Sequence, residues 1–344
     1  MFIQRAGLIL ALSLNFCAPT TSAAQTPAFF ATDGTNNSIR VFGSAGEELP
    51  SILNPQFRFP TFLSQTIDGT SLITDVNFVG PSGPDLVRID LSGNIQARAT
   101  SHSIFGISGG GVVSVVDTGR RSLLITSTIN TIIVETDYDF NVIRRIASNA
   151  PAGGLRTLGA AMSLDNSRLY VADADGQSGS GFIRIFDYLS GLQISAITNP
   201  VIQFPFELRF DCAGDLFISD RGASFSEDWI HEFFPDGTLG QTIRSGATSH
   251  ANFGSFDILP DGRLLVLETN IPTQSPIRLL DSFGNLIIEF GPNDVQITDV
   301  LVAYAVTEPP IWMLLLIVCM PLIRRGGGPP LEMRRHPAYV PPGV

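Results

Sequence analysis

Arg168-Leu-Tyr-Val-Ala-Asp173, followed after a polar loop by Phe182-Ile-Arg-Ile-Phe-Asp187 and the turn Ser190-Gly191, is the stretch from which the rest of the chain can be read. Both runs alternate large apolar residues with small or polar ones, the period of a strand that buries one face. Each run ends in Asp. The glycine after the second can adopt positive φ, so a return strand follows. Just upstream, Leu164-Asp165-Asn166 closes another strand-like run with a turn. The unit is thus four strands, here a, b, c and d, of which Arg168 to Asp173 is b.

The same b strand recurs as Ala28 to Asp33, Ser71 to Asp75, Ser122 to Ser127, Asp215 to Asp220 and Arg263 to Glu268. The matching c strands are Ser38 to Phe42, Asp85 to Asp90, Thr131 to Asp137, Trp229 to Phe234 and Pro276 to Asp281. Inner a runs precede five of the six b strands, closing in turns such as Ile67-Asp68-Gly69, Asp211-Cys212-Ala213-Gly214 and Leu259-Pro260-Asp261-Gly262. The first b strand has no a run before it, and the run Gln296 to Tyr304 has no b strand after it. Pairing those two ends completes the pattern. Successive b strands lie about 40 to 50 residues apart, the period of propeller blades rather than of helical repeats. The expectation is an all-β fold: a six-bladed β-propeller with four-stranded antiparallel blades, in which N- and C-terminal strands close one blade.

Through Leu169-Tyr-Val-Ala-Asp173, Ile183-Arg-Ile-Phe-Asp187 and Asp215-Leu-Phe-Ile-Ser-Asp220 the chain resembles the NHL-repeat and SMP-30/gluconolactonase-like six-bladed propellers. That resemblance implies an architecture that hosts lactonases, lyases, binding modules and scaffolds alike. The Glu-Gly-Pro-x-Trp segment that supplies a metal ligand in the SMP-30 type has no counterpart; the nearest stretch is Gln56-Phe-Arg-Phe-Pro60.

A hydrophobic content of 44% with 15% charged residues suits a large packed core. The formal net charge is −11, and all 21 basic residues are Arg. Such a surface repels nucleic acid, and the absence of Lys removes Schiff-base chemistry. Residues 1–24 read as a signal peptide: Arg5 supplies positive charge, Ala6 to Phe16 an apolar core, and Ser22-Ala23-Ala24 a small-residue cleavage site. The propeller is expected over residues 25–306. Of three cysteines, Cys17 leaves with the signal peptide, so Cys212 in the folded domain has only Cys319 as an intramolecular partner.

Beyond it, Thr307-Glu308-Pro309-Pro310, the apolar run Ile311 to Ile323 and Arg324-Arg325 resemble a PEP-CTERM signal, the tail by which bacterial exosortase sorts exported proteins. Glu308, Pro309, Arg324 and Arg325 match the motif; Thr307 and Pro321 depart from it. Residues 307–325 are therefore expected to be a sorting or transmembrane segment containing a short apolar helix. Its 13 apolar residues cover roughly 20 Å, against the about 30 Å of a hydrocarbon core. The arginines would face the cytoplasm. Residues 326–344 read as a disordered Gly/Pro-rich tail.

Asp33, Asp75, Asp173, Asp220 and Glu268 all end b strands and are expected on one face, near the mouth of the channel. Such a ring could hold calcium through hard oxygen ligands, and the ion could polarise a lactone or ester carbonyl. An acid at the same place in nearly every blade is also what a loop cap requires, and a catalytic site needs different residues from different blades. No catalytic residue and no cofactor are assigned on that ground. His102, His231 and His250 show no ligand spacing, and His231, on a c strand, is expected to be a packed or surface residue rather than a ligand. Long b–c loops with Phe78, Phe225 and Trp229 suit a protein or glycan ligand. The function expected is an exported binding or scaffold module of the envelope or extracellular matrix of a bacterium, with exosortase-type machinery and the membrane as partners of its tail; the alternative is a metal-dependent lactonase or hydrolase at the channel mouth.

Overall fold

Residues 28–76, 85–106, 112–127, 132–146, 155–175, 180–222, 229–244, 252–269, 276–291 and 297–303 are described by a computed structural model. Within them the chain forms six four-stranded antiparallel sheets. Blade 1 contains β1 (Ala28–Asp33), β2 (Ser38–Phe42) and β3 (Glu48–Leu53). Blade 2 is β4 (Ser64–Gln65), β5 (Ser71–Val76), β6 (Asp85–Asp90) and β7 (Ile95–Thr100). A single helical turn, α1 (Ser101–Phe105), leads to blade 3, which is β8 (Val112–Asp117), β9 (Ser122–Ser127), β10 (Ile133–Asp137) and β11 (Val142–Ile146). Blade 4 follows as β12 (Leu155–Met162), β13 (Arg168–Asp175), β14 (Gly181–Asp187) and β15 (Gln193–Ile197). Blade 5 is β16 (Pro205–Phe210), β17 (Leu216–Asp220), β18 (Trp229–Phe233) and β19 (Leu239–Arg244). Blade 6 is β20 (Asn252–Ile258), β21 (Leu264–Thr269), β22 (Ile277–Leu280) and β23 (Leu286–Phe290).

The last strand, β24 (Ile297–Ala303), supplies the inner strand that blade 1 lacks. It pairs antiparallel with β1, with Ala28 opposite Ala303 and Phe30 opposite Leu301. The expected closure of the ring by its two ends is what the structure shows. Backbone hydrogen bonds thus join residues nearly the whole chain apart and leave β1 no free edge. Phe290 of blade 6 packs on both Phe29 and Phe42 of blade 1, with ring centroids 5.7 and 5.3 Å apart, and seals that seam with apolar surface.

Six hydrophobic clusters lie one between each pair of neighbouring blades; Ile183, Leu208, Ile218 and Phe233, for example, lock blade 4 to blade 5. Alternate residues of each strand face one neighbour or the other, so the b strands, with a blade on both faces, are buried along nearly all their length. The outer strands are mostly exposed.

Turns repeat with the blades. Asp90 accepts from the Ser92 and Asn94 N–H groups at 2.9 Å and from the Asn94 amide, and Asp281 does the same with Phe283 and Asn285. In both turns Gly93 and Gly284 take φ of +85°, which L side chains rarely adopt. Helix α1 has no counterpart in the sequence reading: its five residues are too few to show helical period. Thr100 caps its N-terminus through the Ser103 N–H, Gly106 closes it, and Ile104 and Phe105 are buried.

Among the described residues no helix is long and apolar enough to cross a membrane. The signal-peptide segment, the tail with Glu308, Pro309, Arg324 and Arg325, and the expected helix over Ile311 to Ile323 lie outside the described residues. Cys212, in the turn between β16 and β17, is disulfide-bonded; Cys17 and Cys319 both lie outside the described residues.

Candidate functional site in the central channel

The five b-strand acids are buried, with at most 3% of any of them exposed, rather than open to channel water. Each is occupied. Asp33 accepts from the Asn36 N–H at 2.8 Å, from the Asn36 amide and from Arg40 Nε at 2.7 Å, so it caps its own b–c loop. Asp75 accepts from the Thr61 N–H and hydroxyl at 2.8 and 2.6 Å, and so holds the segment that leads into β4. Asp220 ties two segments at once, through the Gln203 N–H at 2.7 Å and the Gly222 N–H at 2.8 Å. Asp173 takes a two-pronged contact from Arg184 at 2.6 and 2.7 Å plus the Thr157 hydroxyl. Glu268 pairs with Arg278. Asp173 therefore neutralises an arginine instead of capping a loop, and Glu268 too is paired with one. Burial pushes the Asp75 carboxyl up to about 6 and raises that of Asp173, the latter against the pull of Arg184.

A different group of charges occupies the centre. Glu207 on β16, Asp257 on β20 and Asp299 on β24 belong to three successive inner strands, the strands that line the axis of the ring. Arg209, also on β16, pairs with Glu207 and lies 3.3 Å from Asp257. The side chains of Arg209, Glu207 and Asp257 keep 22%, 14% and 13% of their surface exposed although they sit on the innermost strands, so channel water reaches them.

Two of these acids are placed by bulges. Opposite Ser219 of β17 stand two residues of β16, Phe206 and Glu207; opposite Thr32 of β1 stand Thr298 and Asp299. A bulge turns a side chain out of the regular alternation. Gly159 of β12 permits one of them: a Cβ there would lie 2.5 Å from the Phe206 carbonyl oxygen and 2.9 Å from the Glu207 Cα.

Each carboxylate reaches the next blade. Glu207 accepts from the Phe256 N–H at 2.9 Å, Asp257 from the Val302 N–H at 2.8 Å, and Asp299 from the Leu63 N–H and the Ser255 hydroxyl. Blades 5, 6, 1 and 2 are thereby stapled in sequence across the seam where the chain ends meet. An inner strand has one unpaired edge, and these acids accept its N–H groups. One guanidinium faces three carboxyls. Burial raises the pKa of all three, and for Asp299 the nearby Glu207 charge adds to burial and holds it well above the usual carboxylate range. Burial works against the charge on Arg209, but Glu207, Asp257 and Asp299 keep it firmly protonated. The arrangement can hold a proton on the channel axis. Among the described residues no three His, Cys, Asp or Glu side chains are placed to share a metal ion.

His231 is buried on β18, with Nδ1 3.0 Å from the Thr242 hydroxyl and its ring stacked on Trp229, so of the packed and surface positions its strand allows it takes the packed one. Trp229 also carries Arg244 over its ring. Phe78, Phe225 and His250 lie outside the described residues.

The sequence matches no protein-family profile, and no curated protein is similar to it. Solved structures do match. A structure of a nidogen/laminin complex aligns with a TM-score of 0.60 at 15% identity over 81% of this chain and 99% of that one. TolB from Acinetobacter baumannii gives 0.60 at 14% over 81% and 66%, and a protein of unknown function from Bacteroides caccae gives 0.58 at 9% over 81% and 99%. At such identities the likeness carries the fold alone: the chain is a six-bladed β-propeller.

Proposed function

We propose that the chain is an exported, non-catalytic binding or scaffold propeller of a bacterial envelope or extracellular matrix. The observation that carries this reading is the occupation of the b-strand acids. The carboxylates nearest the loop face, where a hydrolase of this architecture would hold its metal, are committed to backbone N–H groups and arginines. Their removal would cost stability, which is what a scaffold requires of them. Use of a similar fold in a nidogen/laminin complex is in keeping with a protein ligand. On this reading the NHL-type blades present their b–c loops outward, and the PEP-CTERM-like tail delivers the propeller to the surface through an exosortase-type system.

The full chain and a form ending at Val306, each expressed in a bacterium with an exosortase system, test the reading. The expected result is removal of residues 1–24, leaving Gln25 as the first residue, and envelope association of the full chain but not of the shortened one. Recovery of both forms from the cytoplasm with residues 1–24 intact would overturn it.

A further inference from the structure

We propose that Asp299 keeps a proton at neutral pH, on the oxygen that faces Ser255, and that this proton works a clasp on the seam closed by β24. Of the three channel acids, Asp299 is the one without a cation in contact. Arg209 is paired with Glu207 and Asp257, and Asp299 makes no ion pair among the described residues. It is also buried, at 5% exposure, whereas Glu207 and Asp257 meet channel water. A carboxyl taken out of water without a counter-charge gives up its own charge rather than bear the desolvation.

Ser255 decides where the proton sits. Its hydroxyl contacts Asp299 Oδ1 and also bonds Glu207, yet it owns a single hydrogen. With both acids ionised it can serve one of them, and the other faces a bare lone pair. A proton on Asp299 Oδ1 resolves the conflict by turning that contact around. Asp299 then donates to Ser255 Oγ, and the serine hydrogen is released to Glu207, whose charge Arg209 answers. Asp299 Oδ2 stays free to accept the Leu63 N–H. The relay Asp299, Ser255, Glu207 thus links β24 to β20 and β16, and Leu63 extends it to the start of blade 2.

The surroundings favour the protonated acid. Glu207 and Arg209 of β16 face Asp299, and the Glu207 charge adds to burial in holding its carboxyl well above the usual range. Asp257 of β20 lies across the guanidinium, Asp33 of β1 and Glu268 of β21 are paired with Arg40 and Arg278, and Pro60 to Gln65 carry no charge. When pH rises far enough, the Asp299 O–H bond breaks and the proton passes to channel water. The serine hydrogen must then choose between two carboxylates that repel across it. One link of the relay is lost, and β24 loosens from β20 while its backbone pairing with β1 remains.

Infrared spectra of the full chain test this through the C=O band of protonated carboxyls. At pH 8, where Asp75, at about 6, has given up its proton, one such band should remain. It should shift when aspartate carries a carbon-13 carboxyl, stay in place when glutamate does, and be absent from Asp299→Asn. Asparagine keeps a donor for Ser255 Oγ and an acceptor for the Leu63 N–H, so this variant should fold with the clasp held shut. Hydrogen exchange at Leu63 and along β24, corrected for the intrinsic effect of pH, should quicken about tenfold over the range in which the band disappears. In Asp299→Asn it should not change. The unmodified chain alone can overturn the proposal, by showing no protonated carboxyl at pH 8 or a band that follows the glutamate label. A band that survives Asp299→Asn, or seam exchange indifferent to loss of the band, would do the same.

Discussion

Two sets of carboxylates hold this ring together, and they differ in how they recur. The acids at the ends of the b strands appear in five of six blades, and each works close to its own blade. Glu207, Asp257 and Asp299 appear on three inner strands only, and each works on the next blade. Repetition marks what every blade needs, a fastened loop. Asymmetry marks what only part of the ring needs: a bridge across the seam where β24 closes on β1, at the cost of crowding three acids around one arginine.

The contrast breaks most visibly at Arg209. Removing the guanidinium leaves Glu207 and Asp257 without their counter-charge on the axis, so Arg209→Met should destabilise by about 3–5 kcal/mol. A urea midpoint measurement reads this directly. Adding Glu207→Gln to that variant should recover part of the loss. A midpoint unchanged by Arg209→Met would mean that the guanidinium carries no structural charge.

Acid and base should separate the sets further. Asp75 has a folded value of about 6 against an ordinary 3.8, because burial disfavours its charge. A raised folded pKa contributes stability that is complete below the unfolded value and is lost as pH rises through the folded one. For Asp75 this amounts to about 3 kcal/mol, of which about 2 kcal/mol falls between pH 4.5 and 7.5. Glu207, Asp257 and Asp299 are shifted in the same direction. The turn acids Asp90 and Asp281 oppose them: Asn94 and Asn285 hold these carboxyls below the ordinary range, so their contribution is lost as pH falls. Stability should peak at mildly acidic pH, with melting at pH 4.5 at least roughly 4 °C above that at pH 7.5. Asp75→Asn should flatten this dependence. A protein more stable at pH 7.5 than at 4.5 would contradict the burial of these groups.

The b-strand acids were legible because they recur. An acid closing a short run of apolar or small residues, five times along the chain, stands out without any knowledge of contacts. The closing strand was legible for the same reason, as Gln296 to Tyr304 is an a run without a b strand. The channel cluster was not. Glu207, Asp257 and Asp299 sit inside apolar runs such as Phe206-Glu207-Leu208 and Phe256-Asp257-Ile258, where they read as the polar half of an alternating strand. What brings Glu207 and Asp299 inward is a one-residue bulge against the neighbouring strand, and register is a property of two strands, invisible in either. Their spacings of roughly 40 to 50 residues, one blade apart, were the available signal.

Gly159 tests that reading of the bulge at a smaller cost. Gly159→Ala places a methyl group against the backbone of Phe206 and Glu207, which has to give, so a loss of about 1–3 kcal/mol is expected. Because the displaced backbone carries Glu207, the loss should shrink when Arg209→Met has already broken the cluster. Strict additivity of the two substitutions in urea midpoints would show that Gly159 serves blade packing alone.

The smallest effects belong to the repeated acids, and here the two readings of the loop face part. Asp33 receives the Asn36 N–H and amide and Arg40 Nε. Asp33→Asn retains an oxygen for the N–H, whereas Asp33→Ala leaves that donor unmatched, so alanine should cost about 1 kcal/mol more than asparagine in thermal or urea melts. Calcium should leave the melting curve of the unmodified chain where it is, because accepting two N–H donors and an arginine uses the lone pairs that an ion would need. Were an ion held there, saturating calcium at about a hundred times its dissociation constant would add roughly 2.7 kcal/mol. A shift of that size, abolished by asparagine at Asp33 and Asp75 together, would mean that the hydrogen bonds seen at these acids give way to metal, and would move the repeated acids from the framework of the ring to its chemistry.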